Sequence, residues 1–199
     1  MKIHYSILAC FSLGFAALVS AANLSDTNNG VYIAIAGFGG QSGRDYVGAE
    51  TIRFDDKLLW CPFCTTGAVS LNYPDRAYGV RVTMHGPDDK EVTKTSLGEG
   101  YGAAFDKLRS YEDVARGWSM GSIEASGAYD PRGGGFTGGP PLPAPKDLFQ
   151  MDKAGVYTLD IQMQLFQIVS GSNGWIRNLL RFQPVRIKVE KPDPNAKAK

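Results

Sequence analysis

In residues 155–165, GVYTLDIQMQL, apolar and polar side chains alternate one for one. Tyr157, Leu159, Ile161, Met163 and Leu165 fall on one side of that rhythm, and Thr158, Asp160, Gln162 and Gln164 on the other. A period of two belongs to a half-buried strand, because successive side chains of an extended chain point to opposite faces. The phase then slips, with Phe166 and Ile168 apolar around Gln167, which predicts a β-bulge near Leu165–Phe166. After the turn cluster SGSNG, Val185, Ile187 and Val189 alternate with Arg186, Lys188 and Glu190. The two runs, 156–169 and 184–190, are expected to pair antiparallel and to bury Tyr157, Leu159, Ile161, Val185, Ile187 and Val189. An elaborated connection through Trp175 and Leu179-Leu180 would join them.

Further strands are expected at 31–36, 50–54, 68–73, 78–85 and 91–95. Tyr78, Val80, Val82 and Met84 repeat the alternation, and HGPDDK supplies the turn that follows. Short strands bounded by Gly, Pro and Asp at this spacing predict an all-β chain: an antiparallel β-sandwich, immunoglobulin-like or jelly-roll-like. At most one or two short helices are expected, the best at 110–118, where Ser110 can cap, Asp113 stands three positions on and Gly117 can end the turn. Residues 129–146 are too rich in Gly and Pro for a regular element. They read as a long exposed loop, with Pro140 to Pro145 partly in polyproline II.

The ends constrain location. Lys2, the apolar run Ile7–Val19 and the small-x-small pattern Val19-Ser20-Ala21 have the form of a secretory signal over residues 1–22. Its apolar run is about thirteen residues, short of the roughly twenty that cross a bilayer, so no membrane span is expected after its removal. The protein is therefore expected to be secreted or periplasmic, with a single domain at 23–191 and a frayed polar tail at 192–199. Removing the signal takes Lys2 and no acid from a chain with 21 basic and 20 acidic side chains. A mature charge near zero offers no field for nucleic acid or an anionic membrane.

Trp60-Cys61-Pro62-Phe63-Cys64 resembles the Trp-Cys-x-x-Cys motif of the thioredoxin family. That resemblance implies a thiol-disulfide oxidoreductase with Cys61 as nucleophile at a helix N-terminus. It covers five residues. The family's motif stands between a buried strand and a long amphipathic helix, whereas here IRFDDKLL precedes it and TTGAVSLNYPDRAYG follows. In an oxidising compartment, two mature cysteines also make a single possible pair, so a structural disulfide between Cys61 and Cys64 is the expectation. Arg53, Lys57 and Arg76 are the nearest cations in sequence.

Gly37-Phe38-Gly39 after an apolar strand resembles a dinucleotide fingerprint, with Asp55 and Asp56 further on, but no helical period follows it. His85 is the single histidine after the signal, so any serine- or cysteine-based triad would have to use it. The carboxylate pairs Asp55-Asp56, Asp88-Asp89 and Glu112-Asp113 read as turns and caps, and none is singled out for glycoside hydrolysis. Zinc would find only Cys61, Cys64 and His85. No catalytic residue, metal or cofactor is assigned. The remaining signal is aromatic: Tyr101, Trp118, Tyr129, Phe136 and Trp175 lie in or beside expected loops, where rings stack on sugars or anchor a protein. The expected function is non-catalytic binding or envelope assembly, with an unknown protein or polysaccharide as partner. The alternatives are a thiol-disulfide oxidoreductase using Cys61 and Cys64, and a hydrolase with unidentified acidic residues.

Overall fold

The computed structural model describes residues 23–38, 46–47, 52–74, 79–108, 112–113, 120–127, 139–169 and 174–189. Ten strands form one connected sheet: β1 (Asn23–Leu24), β2 (Val31–Phe38), β3 (Tyr46–Val47), β4 (Ile52–Arg53), β5 (Lys57–Pro74), β6 (Val80–His85), β7 (Met120–Gly127), β8 (Gly155–Ile168), β9 (Trp175–Arg181) and β10 (Val185–Val189). Among the described residues two short helices with complete bounds, α1 (Ser96–Gly100) and α2 (Pro145–Leu148), accompany them. No helix among the described residues is long and apolar enough to cross a membrane.

Strand β8 is the spine. Along one edge it pairs first with β10, Val185 opposite Leu159 and Ile187 opposite Tyr157, and then with β9, from Arg181 opposite Gln162 to Trp175 opposite Ile168. Along its other edge it pairs with β6 and then with the end of β5, where Leu71 faces Gln167. Strand β5 in turn passes from β2 to β8 along one edge, while β7 follows its other edge. The ring is completed where Ser25 bridges Phe182 and the Asp26 amide donates to the Arg181 carbonyl at 2.8 Å. The sheet is therefore nearly closed and barrel-like. Closure protects strand edges that would otherwise present unpaired backbone groups. Every strand pair is antiparallel except β10 with β4.

The apolar core fills the ring, with Val31, Ile33 and Ile35 of β2 meeting Leu58 and Trp60 of β5 and the inner residues of β8. The alternation in 155–165 and 185–189 is carried through: Tyr157, Leu159, Ile161, Val185 and Ile187 are buried, and Val189 packs against the core half-buried.

Other expectations are corrected. The slip at Leu165–Phe166 is not a bulge, since the β8–β9 register runs unbroken from Gln162 to Ile168. Both faces of β8 are covered there, so Gln164, Leu165 and Phe166 are all buried and the period of two disappears. The register shift lies instead in β5, between Cys64 and Val69. Trp175 and Leu179-Leu180 belong to a strand, not to an elaborated connection. Residues 68–73 are the end of an eighteen-residue strand that begins at Lys57. Of the expected strand at 50–54, residues 52–53 form β4, Phe54 is in a turn, and 50–51 lie outside the described residues; the strand expected at 91–95 reduces to isolated bridges at Glu91 and Lys94. Strand β7 and helix α1, capped by the Thr95 hydroxyl accepting from the Gly98 amide, were not expected.

Of the expected helix at 110–118, the described residues include Glu112 and Asp113, both helical; the rest, like residues 1–22, 129–138 and 192–199, lies outside them. The described end of the Gly/Pro-rich segment, 139–146, is docked in part. Leu142, Ala144 and Pro145 are buried while Pro140 and Pro141 stay exposed, and Leu142 exchanges two backbone hydrogen bonds with Leu58.

Candidate functional site

The cysteines come first, because the structure overturns the expected bridge. Cys61 and Cys64 are free thiols within β5, paired across to Ala34 and Val31. Three steps along a strand reverse the face and separate Cα atoms by about 10 Å, whereas a disulfide needs them within roughly 7 Å. Cys64 faces the core, and its Sγ lies 3.2 Å from the Thr66 hydroxyl. Cys61 faces the other way, beside the stacked rings of Tyr32 and Phe63 on the same side of the sheet. Burial pushes the Cys61 thiol above its ordinary pKa, the opposite of an activated nucleophile. No helix follows Cys64, because the strand continues to Pro74. Arg53 is engaged with Asp56, Lys57 is exposed at the start of β5, and Arg76 lies outside the described residues.

Asp56, a candidate in the dinucleotide and carboxylate readings, serves the backbone. It is fully buried at the turn before β5 and accepts from the Arg53 amide at 2.9 Å and the Arg53 Nε at 3.3 Å. His85 stands on the exposed face of β6 with its Nδ1 3.6 Å from Asp160 Oδ2, both side chains well solvated. Asp88 pairs with Lys153 at 3.1 Å; that hydrogen bond, helped by the lysine's charge, holds the Asp88 carboxyl below its ordinary range and raises Lys153. Among the described residues, no group of three or more His, Cys, Asp or Glu side chains is placed to hold a metal ion.

The feature with the character of a binding site is a cavity of about 120 Å³ beside the break between β5 and β6. Trp60, Tyr73, Tyr101 and Met163 line it together with Pro140 and Pro141. Its wall is mostly apolar, as ligand pockets usually are. Trp60 and Tyr73 meet edge-on, with ring centroids 5.2 Å apart, a favourable aromatic geometry. Two glycines make room for these rings. A Cβ on Gly121 would collide with the Tyr73 ring, and one on Gly139 with the Trp60 indole. Each ring thus packs where only a glycine backbone fits.

The neighbouring wall is stiff. Gln164, buried on the back of β8, donates to the Phe105 carbonyl at 2.7 Å and accepts from Arg177 Nε at 2.7 Å. These bonds tie β8 to the turn that carries Tyr101 and to β9. On the same turn Phe105 lies under Arg81, whose guanidinium carbon is 4.3 Å from the ring centre, a cation–π contact.

Of the five aromatic residues singled out in the sequence, the structure brings Tyr101 to this cavity. Trp175 sits on β9 opposite Ile168 and does not line it. Trp118, Tyr129 and Phe136 lie outside the described residues. Trp60 and Tyr73 were missed because both stand within an apolar strand, where a ring reads as core. The signal that marks them is the glycine opposite each ring, which only the fold reveals. Comparison of the chain with protein-family models, curated proteins and solved structures finds no match.

Proposed function

We propose that this is an exported, non-catalytic binding or envelope-assembly domain, secreted or periplasmic, that engages a protein or polysaccharide partner at the aromatic cavity. The observation that carries the reading is the joint lining of one cavity by Trp60, Tyr73 and Tyr101. Its size favours one ring of a larger ligand: an apolar protein cavity of roughly 150 Å³ accommodates benzene. Within the same proposal, the barrel-like sheet is a flattened sandwich whose layers share the long strands β5 and β8. Redox and hydrolytic readings draw no comparable support. The two thiols stand on opposite faces of a strand, and the His85–Asp160 pair lies in solvent.

The test is isothermal titration against panels of envelope glycans and peptides, with Tyr101→Ala and Tyr73→Ala, two changes in the cavity wall, as comparisons. Binding that both variants weaken at least fivefold supports the reading. Binding that neither variant changes, or turnover of a panel member, overturns it.

A further inference from the structure

The cavity's second wall already shows the chemistry it selects. Residues 139–144, GPPLPA, bend at Gly139 and Pro140 and then pass beside the start of β5, where Leu142 bridges Leu58; Ala144 has φ −65° and ψ 149°, the polyproline II values. The indole N–H of Trp60 donates to the Pro140 carbonyl at 2.9 Å. Prolines cannot donate from their own backbone nitrogen, so a proline segment offers carbonyls and ring faces, and a tryptophan answers both. Leu142 pairs with Leu58 through amide–carbonyl bonds of 2.8 and 3.1 Å, adding the segment to β5 as a one-residue strand. Gly139 lies so close to the Trp60 indole that no larger residue fits. Pro140 and Pro141 line the cavity beside the aromatic rings, as prolines do in the aromatic-lined grooves that take polyproline segments. Pro140 and Pro141 remain exposed on their outer sides. The cavity persists between those prolines and Tyr73 and Tyr101, with room for another ring.

We infer that the Trp60–Tyr73–Tyr101 groove is a proline-recognition site, held in cis by the chain's own residues 139–142, and that its external ligand is an extended proline-rich peptide. This deepens the binding proposal above and rests on it. The cis segment acts as a competitor: a peptide arriving from outside binds only the fraction of molecules whose groove is open, and its apparent affinity falls by that fraction. Leu142 remains anchored in the core, so opening displaces Gly139 to Pro141 from the groove.

The experiment measures fluorescence anisotropy of a labelled peptide, GGPPLPAPK, with GGAALAAAK as control, against the purified protein and two variants. Gly139→Ala drives the segment off the indole, because its Cβ would meet Trp60. The double change Pro140→Ser with Pro141→Ser removes the cis rings from exposed positions and leaves the groove side chains untouched. Circular dichroism and thermal melting confirm that each variant is folded. The expected result is saturable binding of the proline peptide, at least tenfold tighter to a folded variant than to the parent, and none of the control. Equal or absent peptide binding by parent and folded variants overturns it. Phenol, titrated in parallel, separates the failures. If phenol or a glycan binds at the cavity and the peptide does not, the cavity remains a binding site for another class. If nothing binds there, the binding proposal falls as well.

Discussion

At the scale of single residues, three side chains decide how this chain reads. Cys61 and Cys64 carry the most suggestive motif and are separated by the most elementary fact of strand geometry, the reversal of face between positions of odd spacing. Neither should be found in a disulfide: a thiol reagent should count two in denatured protein with residues 1–22 removed, and react slowly with the folded form, in which both are buried. A count of zero before reduction would contradict the structure. The pH dependence follows from burial. Cys61's folded pKa is raised, so its contribution to stability is complete below the ordinary thiol pKa and declines as pH climbs beyond it towards the folded value. Melting temperature should thus fall on the alkaline side of about pH 9, and Cys61→Ala should flatten that slope. Asp56 is the third. Its buried carboxylate holds the Arg53 turn, so Asp56→Ala should cost on the order of 1–3 kcal/mol in urea unfolding, because the amide it caps loses its acceptor. A cost below about 0.5 kcal/mol, the range of ordinary surface changes, would deny it that role.

Among the elements, the docked end of the Gly/Pro-rich segment matters most. Leu142 is buried and bonded to Leu58, so Leu142→Ala should cost about 2–5 kcal/mol, as buried leucines do. Trp60→Phe keeps most of the ring but removes the donor to Pro140, and should cost near 1 kcal/mol. Equilibrium denaturation measures both, and a near-neutral Leu142→Ala would mean that the segment is not docked. These elements also show what the sequence discloses. β8, β10 and β6 were legible because one face of each is buried and the other wet, so period two survives along them. β5 was read only as 68–73, because Leu58 to Cys64 are buried or half-buried on both faces and show no alternation. β7 escaped notice because it has little apolar content, Ile123 and Ala125 being its inner residues. Gly and Pro spoke against a regular element in 129–146; in its described part, 139–146, α2 nonetheless begins at Pro145, and composition says nothing of docking. That follows from one leucine among prolines finding the Leu58 backbone, a contact between residues far apart in sequence.

For the whole molecule, the ring of strands sets both stability and the position of the cavity. Amides of β8 are hydrogen-bonded to neighbours on both edges, so hydrogen exchange should find its centre, Leu159 to Leu165, slowest, with opening there requiring global unfolding. The cavity lies beside the end of β5 and the start of β6, where the turn carrying Tyr101 and the proline segment also line it. Its β8 side is stiffened by the Gln164 hydrogen bonds to Phe105 and Arg177. Amide chemical-shift mapping during titration with a ligand found by calorimetry is the most direct test of the central claim that this cavity is the recognition site. The account predicts that the largest shifts fall on Tyr73, Gly79, Tyr101 and Gln164, with the Trp60 indole N–H moving as well, while His85 and Asp160 stay still. Shifts concentrated on the His85–Asp160 face, or along the Asp88–Lys153 turn, with the Trp60 indole unmoved, would contradict it.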